Sequence, residues 1–222
     1  MGGMQVNGIK AIIFDLDGVL LDSSPIHALA FREALAPWPV GQFRYASVAG
    51  MRTAAAMRAV LTAKGIPYTE EQIVSLAATK SSLARKWIVE RNPINPYCKE
   101  VLDSLAGVYR LGMASSASKS AVDLFLSRNR LGERFACVLN GEDVRQAKPA
   151  PEIYELCASR LGLAAQQCLV IEDAVSGVQS AKSAGATVWG ITATCPAGDL
   201  TRAGANRIID CLGDLLMLAE RH

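Results

Sequence analysis

Short runs of apolar, often β-branched residues recur along most of this chain, and each run ends at or near a polar residue or a turn. Such runs are typical of strands that are buried on both faces of a sheet. They predict five strands, over residues 9–14, 109–114, 136–139, 168–171 and 187–191. Helical patterns lie between them, over residues 119–130, 151–161 and 175–184. This alternation predicts an α/β fold with a doubly wound parallel sheet.

One stretch, residues 23–95, interrupts the alternation. It has no convincing buried strand, and its alanine-rich sequence predicts helices over 26–35, 48–64 and 70–90. Prolines interrupt and close it, namely Pro37, Pro39, Pro67, Pro93 and Pro96. We therefore predict a core domain of residues 1–22 and 96–222, with an all-α domain of residues 23–95 inserted into it. The alternative is that this stretch belongs to the main layer of the fold.

Composition and charge exclude several classes of protein. The 222 residues are 50% hydrophobic and 20% charged, as in globular proteins, and the net charge of +2 is too small to indicate nucleic-acid binding. No apolar run approaches the ~18 residues that a membrane-spanning helix needs. The first eight residues lack the basic and apolar regions of a secretion signal.

Cysteine and histidine usage argues against a zinc centre. The only histidines are His27 and His222, and the six cysteines form no Cys-x-x-Cys pair. We expect the cysteines to be free thiols, most of them buried, in a reducing cytoplasm. They are Cys98, Cys137, Cys157, Cys168, Cys195 and Cys211.

Four carboxylates follow two of the predicted strands: Asp15 and Asp17 after the first, Glu172 and Asp173 after the fourth. In a doubly wound sheet, ligands bind beyond the carboxyl ends of the strands. Several carboxylates facing one crevice repel one another unless a cation joins them. A hard divalent ion, most simply Mg²⁺, satisfies an all-oxygen set of ligands.

A hydroxyl and an amino group are expected at the same edge. Ser115 follows the second predicted strand, and Lys148 precedes a predicted helix. Together with a metal ion, these groups suit a dianionic phosphoryl group. Structural alternatives exist, because an isolated Asp-x-Asp-Gly is often only a turn and Glu172-Asp173 can cap the following helix.

Residues 13–20, Ile-Phe-Asp-Leu-Asp-Gly-Val-Leu, resemble the first motif of the haloacid dehalogenase superfamily of phosphohydrolases. Ser115, Lys148 before a proline, and Glu172-Asp173 before Gly177 are similar to the second, third and fourth motifs, in that order. The resemblance runs from about residue 9 to about residue 209. The helical insert resembles the small α-helical cap of β-phosphoglucomutase and many sugar phosphatases.

The resemblance implies roles for the strand-end residues. Asp15 attacks phosphorus and forms an aspartyl-phosphate, and Asp17 acts as general acid and then as general base. Mg²⁺ is held by Asp15, by the backbone carbonyl of Asp17 and by Asp173, with Glu172 as a direct ligand or acting through water. The phosphoryl oxygens are bound by the hydroxyl of Ser115, with its neighbour Ser116 as the alternative, and Lys148 offsets charge on the nucleophile and the phosphate.

The resemblance also addresses the leaving group. Family members that cleave carbon–halogen bonds lack an acid at the second aspartate, because a halide leaves without a proton. Phosphonate-cleaving members have a small residue there. Asp17 therefore indicates an alkoxide leaving group and a phosphate ester.

Hydrolase and mutase are distinguished by the cap. His27 aligns with the hinge histidine of β-phosphoglucomutase, and Lys80 can align with its cap lysine. Arg52, in Gly50-Met51-Arg52-Thr53, falls one position before the mutase arginine and resembles the loops of sugar and polyol phosphatases, where it would touch the leaving group. Each of the three also has a plain alternative as an ordinary hinge or solvated surface residue.

We therefore expect a Mg²⁺-dependent phosphatase for small phosphorylated metabolites, in particular sugar or polyol phosphates, with no nucleic-acid or membrane partner. A mutase of the β-phosphoglucomutase type is the first alternative, and a catalytically idle module that binds a phosphoryl ligand is the second. Since similar proteins are often monomers, a monomer is expected.

Overall fold

Six parallel strands form one sheet in the computed structural model, which describes residues 8–219. They are β1 (Ala11–Phe14), β2 (Arg110–Ala114), β3 (Cys137–Leu139), β4 (Cys168–Glu172), β5 (Thr187–Ile191) and β6 (Arg207–Ile209). Their order is β3-β2-β1-β4-β5-β6. The sheet grows from β1 first in one direction and then in the other, which is the doubly wound arrangement, so the predicted fold class is confirmed.

The sixth strand was not predicted. β6 spans only Arg207–Ile209, lies at the edge of the sheet and has a single buried residue, Ile209. A run this short carries no periodic signal, and it becomes a strand through its parallel pairing with β5.

Eight α-helices lie within the described residues. They are α1 (Ser24–Leu35), α2 (Thr53–Ala63), α3 (Glu70–Arg91), α4 (Cys98–Ala106), α5 (Lys119–Asn129), α6 (Glu152–Arg160), α7 (Val175–Ser183) and α8 (Ala197–Ala203). Six match predicted helices, whereas α4 and α8 were not predicted. The expected helix over 48–64 begins only at Thr53, because Gly50 has a φ of +75° and Arg52 is extended.

The strands alternate their side chains between two apolar layers. Ile12 and Phe14 of β1 face a core that α4 and α5 cover, while Ala11 and Ile13 face a second core covered by α6, α7 and α8. This three-layer packing leaves the carboxyl ends of the strands as an open edge.

The three helices α1, α2 and α3 pack around an apolar cluster of their own, which includes Phe31, Met57, Leu61 and Ile73. The two chain segments that connect these helices to the sheet run side by side. The N–H of Asp22 donates to the carbonyl of Pro93 at 2.7 Å, and Leu21 forms an isolated bridge with Ile94. This pairing forms a short two-stranded joint at the carboxyl end of β1.

All six cysteines are free, five of them buried and Cys211 half-buried, so their predicted free state and burial are confirmed. No helix among residues 8–219 is long and apolar enough to cross a membrane. The N-terminal segment considered for a secretion signal (apart from Gly8) and His222 lie outside the described residues.

Candidate active site

Three buried carboxylates meet at the carboxyl ends of β1 and β4. Asp15 directly follows β1, Glu172 is the last residue of β4, and Asp173 follows it. Each offers one oxygen, and these three oxygens lie within 4.8 Å of one another. The parallel pairing of β1 with β4, in which Phe14 lies beside Ile171, brings the two strand ends together.

Lys148 lies beneath this cluster and is bound on three sides. Its Nζ donates to Asp15 Oδ1 at 2.6 Å, to Glu172 Oε1 at 2.7 Å and to the carbonyl of Ala114 at 3.1 Å. Burial lowers the pKa of Lys148, but the charges of Asp15 and Glu172 outweigh it and raise the pKa above its ordinary value. The ammonium group is therefore charged at neutral pH.

One lysine does not balance three carboxylates. Burial raises the pKa of Asp15 and of Asp173, and the Glu172 charge raises both further. In Asp15 the nearby Lys148 opposes this rise. An all-oxygen cluster with excess negative charge matches what a hard divalent cation requires, so the residues present fit Mg²⁺.

Asp17 lies outside the cluster, because its carboxylate is turned toward α1. Its Oδ1 accepts a hydrogen bond from Ser23 Oγ at 2.6 Å and lies 2.9 Å from His27 Nε2. Burial by itself would raise the pKa of Asp17. The hydrogen bonds from His27 and Ser23, together with the positive charge of Lys80, outweigh burial and hold the pKa below its ordinary value.

His27 links Asp17 to Lys80. The Nδ1 atom of His27 lies 2.9 Å from Lys80 Nζ, on α3. Since an ammonium group can only donate, Nδ1 accepts and the ring proton lies on Nε2, facing Asp17. Lys80 is buried over the ring of Phe31, and this burial lowers its pKa to about 8. The two predicted cap residues thus form one chain that ends at the second aspartate.

The two candidate serines point to different partners. Ser115 is buried at the end of β2, and its Oγ accepts the N–H of Ala117 at 3.1 Å, which leaves its proton free to donate. Ser116 Oγ instead donates to the carbonyl of Gly50 at 2.8 Å. This arrangement favours Ser115 as the phosphoryl-binding hydroxyl.

Arg52 bridges the helical insert to the loop after β3. Its guanidinium donates to the carbonyls of Gly141 and Val144 and, at 3.3 Å, to the carbonyl of Arg145. The loop of the insert that carries Arg52 is also held by α7, where Ser176 Oγ donates to the carbonyl of Ala49 at 2.8 Å. The guanidinium that was expected to touch a leaving group is thus already bonded to the core.

A cavity of about 560 Å³ lies between the helical insert and the strand ends. Eight of the predicted site residues line it: Asp15, Asp17, His27, Arg52, Lys80, Ser115, Ser116 and Asp173. Lys148 and Glu172 are not in the wall of the cavity and lie behind Asp15. The structure thus brings every predicted site residue to one place, eight at the surface of the cavity and two beneath it.

Sequence reasoning missed two residues that hold the carboxylates. Tyr154, on α6, donates from its hydroxyl to Glu172 Oε1 at 2.6 Å, and Thr194 donates to Asp173 Oδ2. Thr194 lies shortly after β5, so the strand-end argument could have found it if it had been applied to the fifth strand. Tyr154 lies inside a helix and has no comparable signal.

Two glycines allow the chain to approach these carboxylates closely. Gly18 has a φ of +83°, and a Cβ there would lie 1.8 Å from Asp173 Oδ2. A Cβ at Gly177, in the first turn of α7, would lie 1.8 Å from Glu172 Oε1. Gly177 therefore serves close packing against the carboxylate cluster.

Comparison with known proteins agrees with this geometry. The chain is 28% identical over 174 residues to fructose-1-phosphate phosphatase YqaB of Escherichia coli, which covers 78% of this chain and 92% of that protein. A hydrolase from Pseudomonas syringae superimposes with a TM-score of 0.85 at 27% identity, over 96% of this chain and 99% of the other. A β-phosphoglucomutase from Clostridium difficile superimposes with a TM-score of 0.80 at 27% identity, over 93% of each chain.

The family assignment comes from a match over most of the chain. The model of the haloacid dehalogenase-like hydrolases matches residues 9–185, which contain β1 to β4, all the helices of the insert and every carboxylate of the cluster. The chain therefore belongs to the haloacid dehalogenase-like hydrolases.

Proposed function

We propose that this hydrolase is a Mg²⁺-dependent phosphatase that acts on small phosphorylated metabolites through an aspartyl-phosphate intermediate. The observation that carries the proposal is the position of Asp15, which lines the cavity, contacts Lys148 at 2.6 Å and shares a cluster with Glu172 and Asp173. A buried carboxylate beside a fixed cation suits attack on a phosphoryl group.

Asp15, Asp173 and the backbone carbonyl of Asp17 would hold the ion. Both oxygens of Glu172 already accept hydrogen bonds, Oε1 from Lys148 and Tyr154 and Oε2 from the backbone N–H groups of residues 173 and 174. This favours a role for Glu172 through a bound water over direct ligation. When bound, Mg²⁺ supplies positive charge that offsets the repulsion between nucleophile and phosphoryl group.

The reaction divides into two displacements. In the first, an oxygen of Asp15 forms a bond to phosphorus while the bond to the leaving oxygen breaks, and Asp17 gives that oxygen the proton that it took from water in the preceding cycle. In the second, Asp17 takes a proton from water, the water oxygen attacks phosphorus, and the bond to Asp15 breaks to release inorganic phosphate. Ser115 holds the phosphoryl oxygens in both steps, and the charge of Lys148, which contacts Asp15, offsets negative charge on the nucleophile and the phosphoryl group.

Residues 23–95 act as the cap of this active site, and residues 1–22 and 96–222 form the catalytic core. Hydrogen bonds from Arg52, Ser116 and Ser176 hold the cap loop against the core beside the cavity. A cap that closes over a bound substrate excludes bulk water and macromolecules, so the proposed substrate is a small molecule. The named activity of the Escherichia coli relative, fructose-1-phosphate phosphatase, supports a sugar or polyol phosphate.

Phosphate release from a panel of sugar, polyol and short-chain phosphate esters tests this function. We expect Mg²⁺-dependent release that stops when a chelator removes the ion and resumes when Mg²⁺ is added back. Absence of release from every ester in the presence of Mg²⁺ would overturn the proposal and favour a non-catalytic module.

A second candidate, a mutase of the β-phosphoglucomutase type, is favoured by the chain from Lys80 through His27 to Asp17. A general acid held by a hinge histidine can protonate a sugar leaving group selectively and slow the reaction with water. Formation of glucose 6-phosphate from β-glucose 1-phosphate, measured against free phosphate, separates the two functions. If the protein is a mutase, glucose 6-phosphate must form faster than free phosphate is released.

Replacing Arg52 by alanine tests whether this residue holds the cap against the core or contacts the substrate. Because its guanidinium donates to three core carbonyls, Arg52→Ala is expected to lower kcat/KM for all esters by a similar factor, about tenfold. Arg58→Ala is the control, since Arg58 lies on α2 and pairs only with the exposed Glu70. A change confined to substrate preference would instead mean that Arg52 contacts the leaving group.

A further inference from the structure

The cavity continues beyond the carboxylates as a groove between α3 and α5. One wall is formed by successive turns of α5 and the residues before it, from Ser118 to Arg128, and the other by the face of α3 that carries Lys80, Ala84 and Ile88. At about 1.5 Å per residue, the α5 wall is about 15 Å long. The groove therefore extends well past the position of a phosphoryl group at Asp15.

The middle of this groove is apolar. Ala84 and Ile88 on α3 face Ala121, Leu124 and Phe125 on α5. Ser81, Ser82 and Ser120 also line the cavity, but these three side chains are exposed. Between the five apolar side chains themselves a sugar hydroxyl would meet mainly carbon, and an unpaired polar group in such a place is unfavourable. Alkyl or aromatic carbon is favoured in the same place because it removes apolar surface from water.

The far end of the groove is basic. It carries Arg85 and Arg128, and neither forms an ion pair with any carboxylate of residues 8–219. Arg128 uses Nη1 to donate to the carbonyl of Val89, which anchors the side chain and leaves its other nitrogens available. The one glutamate in the cavity wall, Glu142, accepts the N–H of Lys119 at the opposite end of α5.

We infer that the preferred substrate is a phosphate monoester whose leaving group has an apolar body and ends in a second anionic group. The phosphoryl group lies at Asp15, the apolar body between α3 and α5, and the second anion at Arg85 and Arg128. This inference rests on the proposed phosphatase function. It departs from the sugar or polyol phosphate that the Escherichia coli relative suggests, since an unmodified sugar or short polyol has neither the apolar body nor the second charge.

Three phosphate esters separate the contributions: glycerol 3-phosphate, hexyl phosphate and 6-phosphooxyhexanoate. We expect kcat/KM for hexyl phosphate to exceed that for glycerol 3-phosphate by at least about tenfold through burial of methylene groups. The terminal carboxylate of 6-phosphooxyhexanoate is expected to add about fivefold, as a partly exposed ion pair does.

Single alanine variants of the two groove arginines locate the anion site. In Arg85→Ala and Arg128→Ala, the ratio of kcat/KM for 6-phosphooxyhexanoate over hexyl phosphate is expected to fall toward one. Arg91→Ala is the matched control, because Arg91 is an exposed arginine of α3 that does not line the groove, and it keeps the wild-type ratio. Leu124→Asn is expected to reduce the preference for hexyl phosphate over glycerol 3-phosphate.

Each result has a defined meaning. Equal turnover of the three esters, or an unchanged ratio in both arginine variants, overturns the groove assignment while the phosphatase function stands. No phosphate release from any ester overturns the phosphatase function and this inference with it.

Discussion

Asp15→Asn is expected to lower kcat by at least about 10⁴-fold, because an amide oxygen cannot form the covalent bond to phosphorus. The substitution keeps the shape of the side chain and leaves a carbonyl oxygen that can still accept from Lys148 Nζ. It also removes one charge from a cluster in which burial and the Glu172 charge raise the pKa of Asp15. The protein should therefore fold normally and lose only the nucleophile.

Two measurements accompany this prediction. Phosphate release with saturating Mg²⁺ gives the loss of activity, and thermal unfolding followed by circular dichroism shows that the fold is retained. Asp22→Asn provides a matched control, since Asp22 is exposed, lies outside the cavity wall and undergoes the same chemical change. Residual turnover within about tenfold of wild type would mean that another residue is the nucleophile.

The core of the site could be predicted because it depends on local sequence. Each carboxylate follows a buried strand directly, and in a parallel sheet the ends of neighbouring strands share one edge. Asp15 and Asp173 therefore had to lie close together once β1 and β4 were neighbours, as their pairing shows. The order of the strands itself could not be deduced from periodicity and is known only from the structure.

The parts that were missed depend on contacts between distant segments. β6 is a strand only because β5 pairs with it, and Tyr154 reaches Glu172 from the opposite side of a helix. For Arg52, the sequence indicates a cap loop, but the carbonyls that its guanidinium meets belong to a loop about 90 residues further along the chain. No pattern within either segment predicts a contact between the two segments.

The start of α2 shows a different cause of error. The residues from Val48 onward have a helical composition, yet Gly50 adopts a positive φ and a Cβ there would lie 2.5 Å from Ser176 Oγ. Docking of the loop against α7 therefore replaces the first turn of the expected helix. A tertiary contact outweighs helix propensity at this point.

Asp17→Asn is expected to lower turnover by about 10²–10⁴-fold through the loss of general acid–base catalysis. The amide still has an oxygen that can accept from Ser23, so the connection to α1 is retained. Unlike the loss of Asp15, this change leaves the nucleophile in place. The rates of the two displacements should therefore fall by different factors, because each depends to a different extent on proton transfer by Asp17.

p-Nitrophenyl phosphate makes that difference visible, because nitrophenolate leaves without a proton whereas the attacking water must still lose one. Asp17→Asn should release about one equivalent of nitrophenolate per enzyme in a rapid burst and then turn over slowly, as phosphoenzyme accumulates. Asp15→Asn should show no burst under the same conditions. A contrary result is that Asp17→Asn slows the nitrophenolate burst and the later steady release by the same factor. Asp17 would then act on phosphorylation alone, or only by maintaining the structure of the site. Linear release of nitrophenolate at the wild-type rate, without a burst, would remove water activation from its role, since dephosphorylation would then proceed without a base.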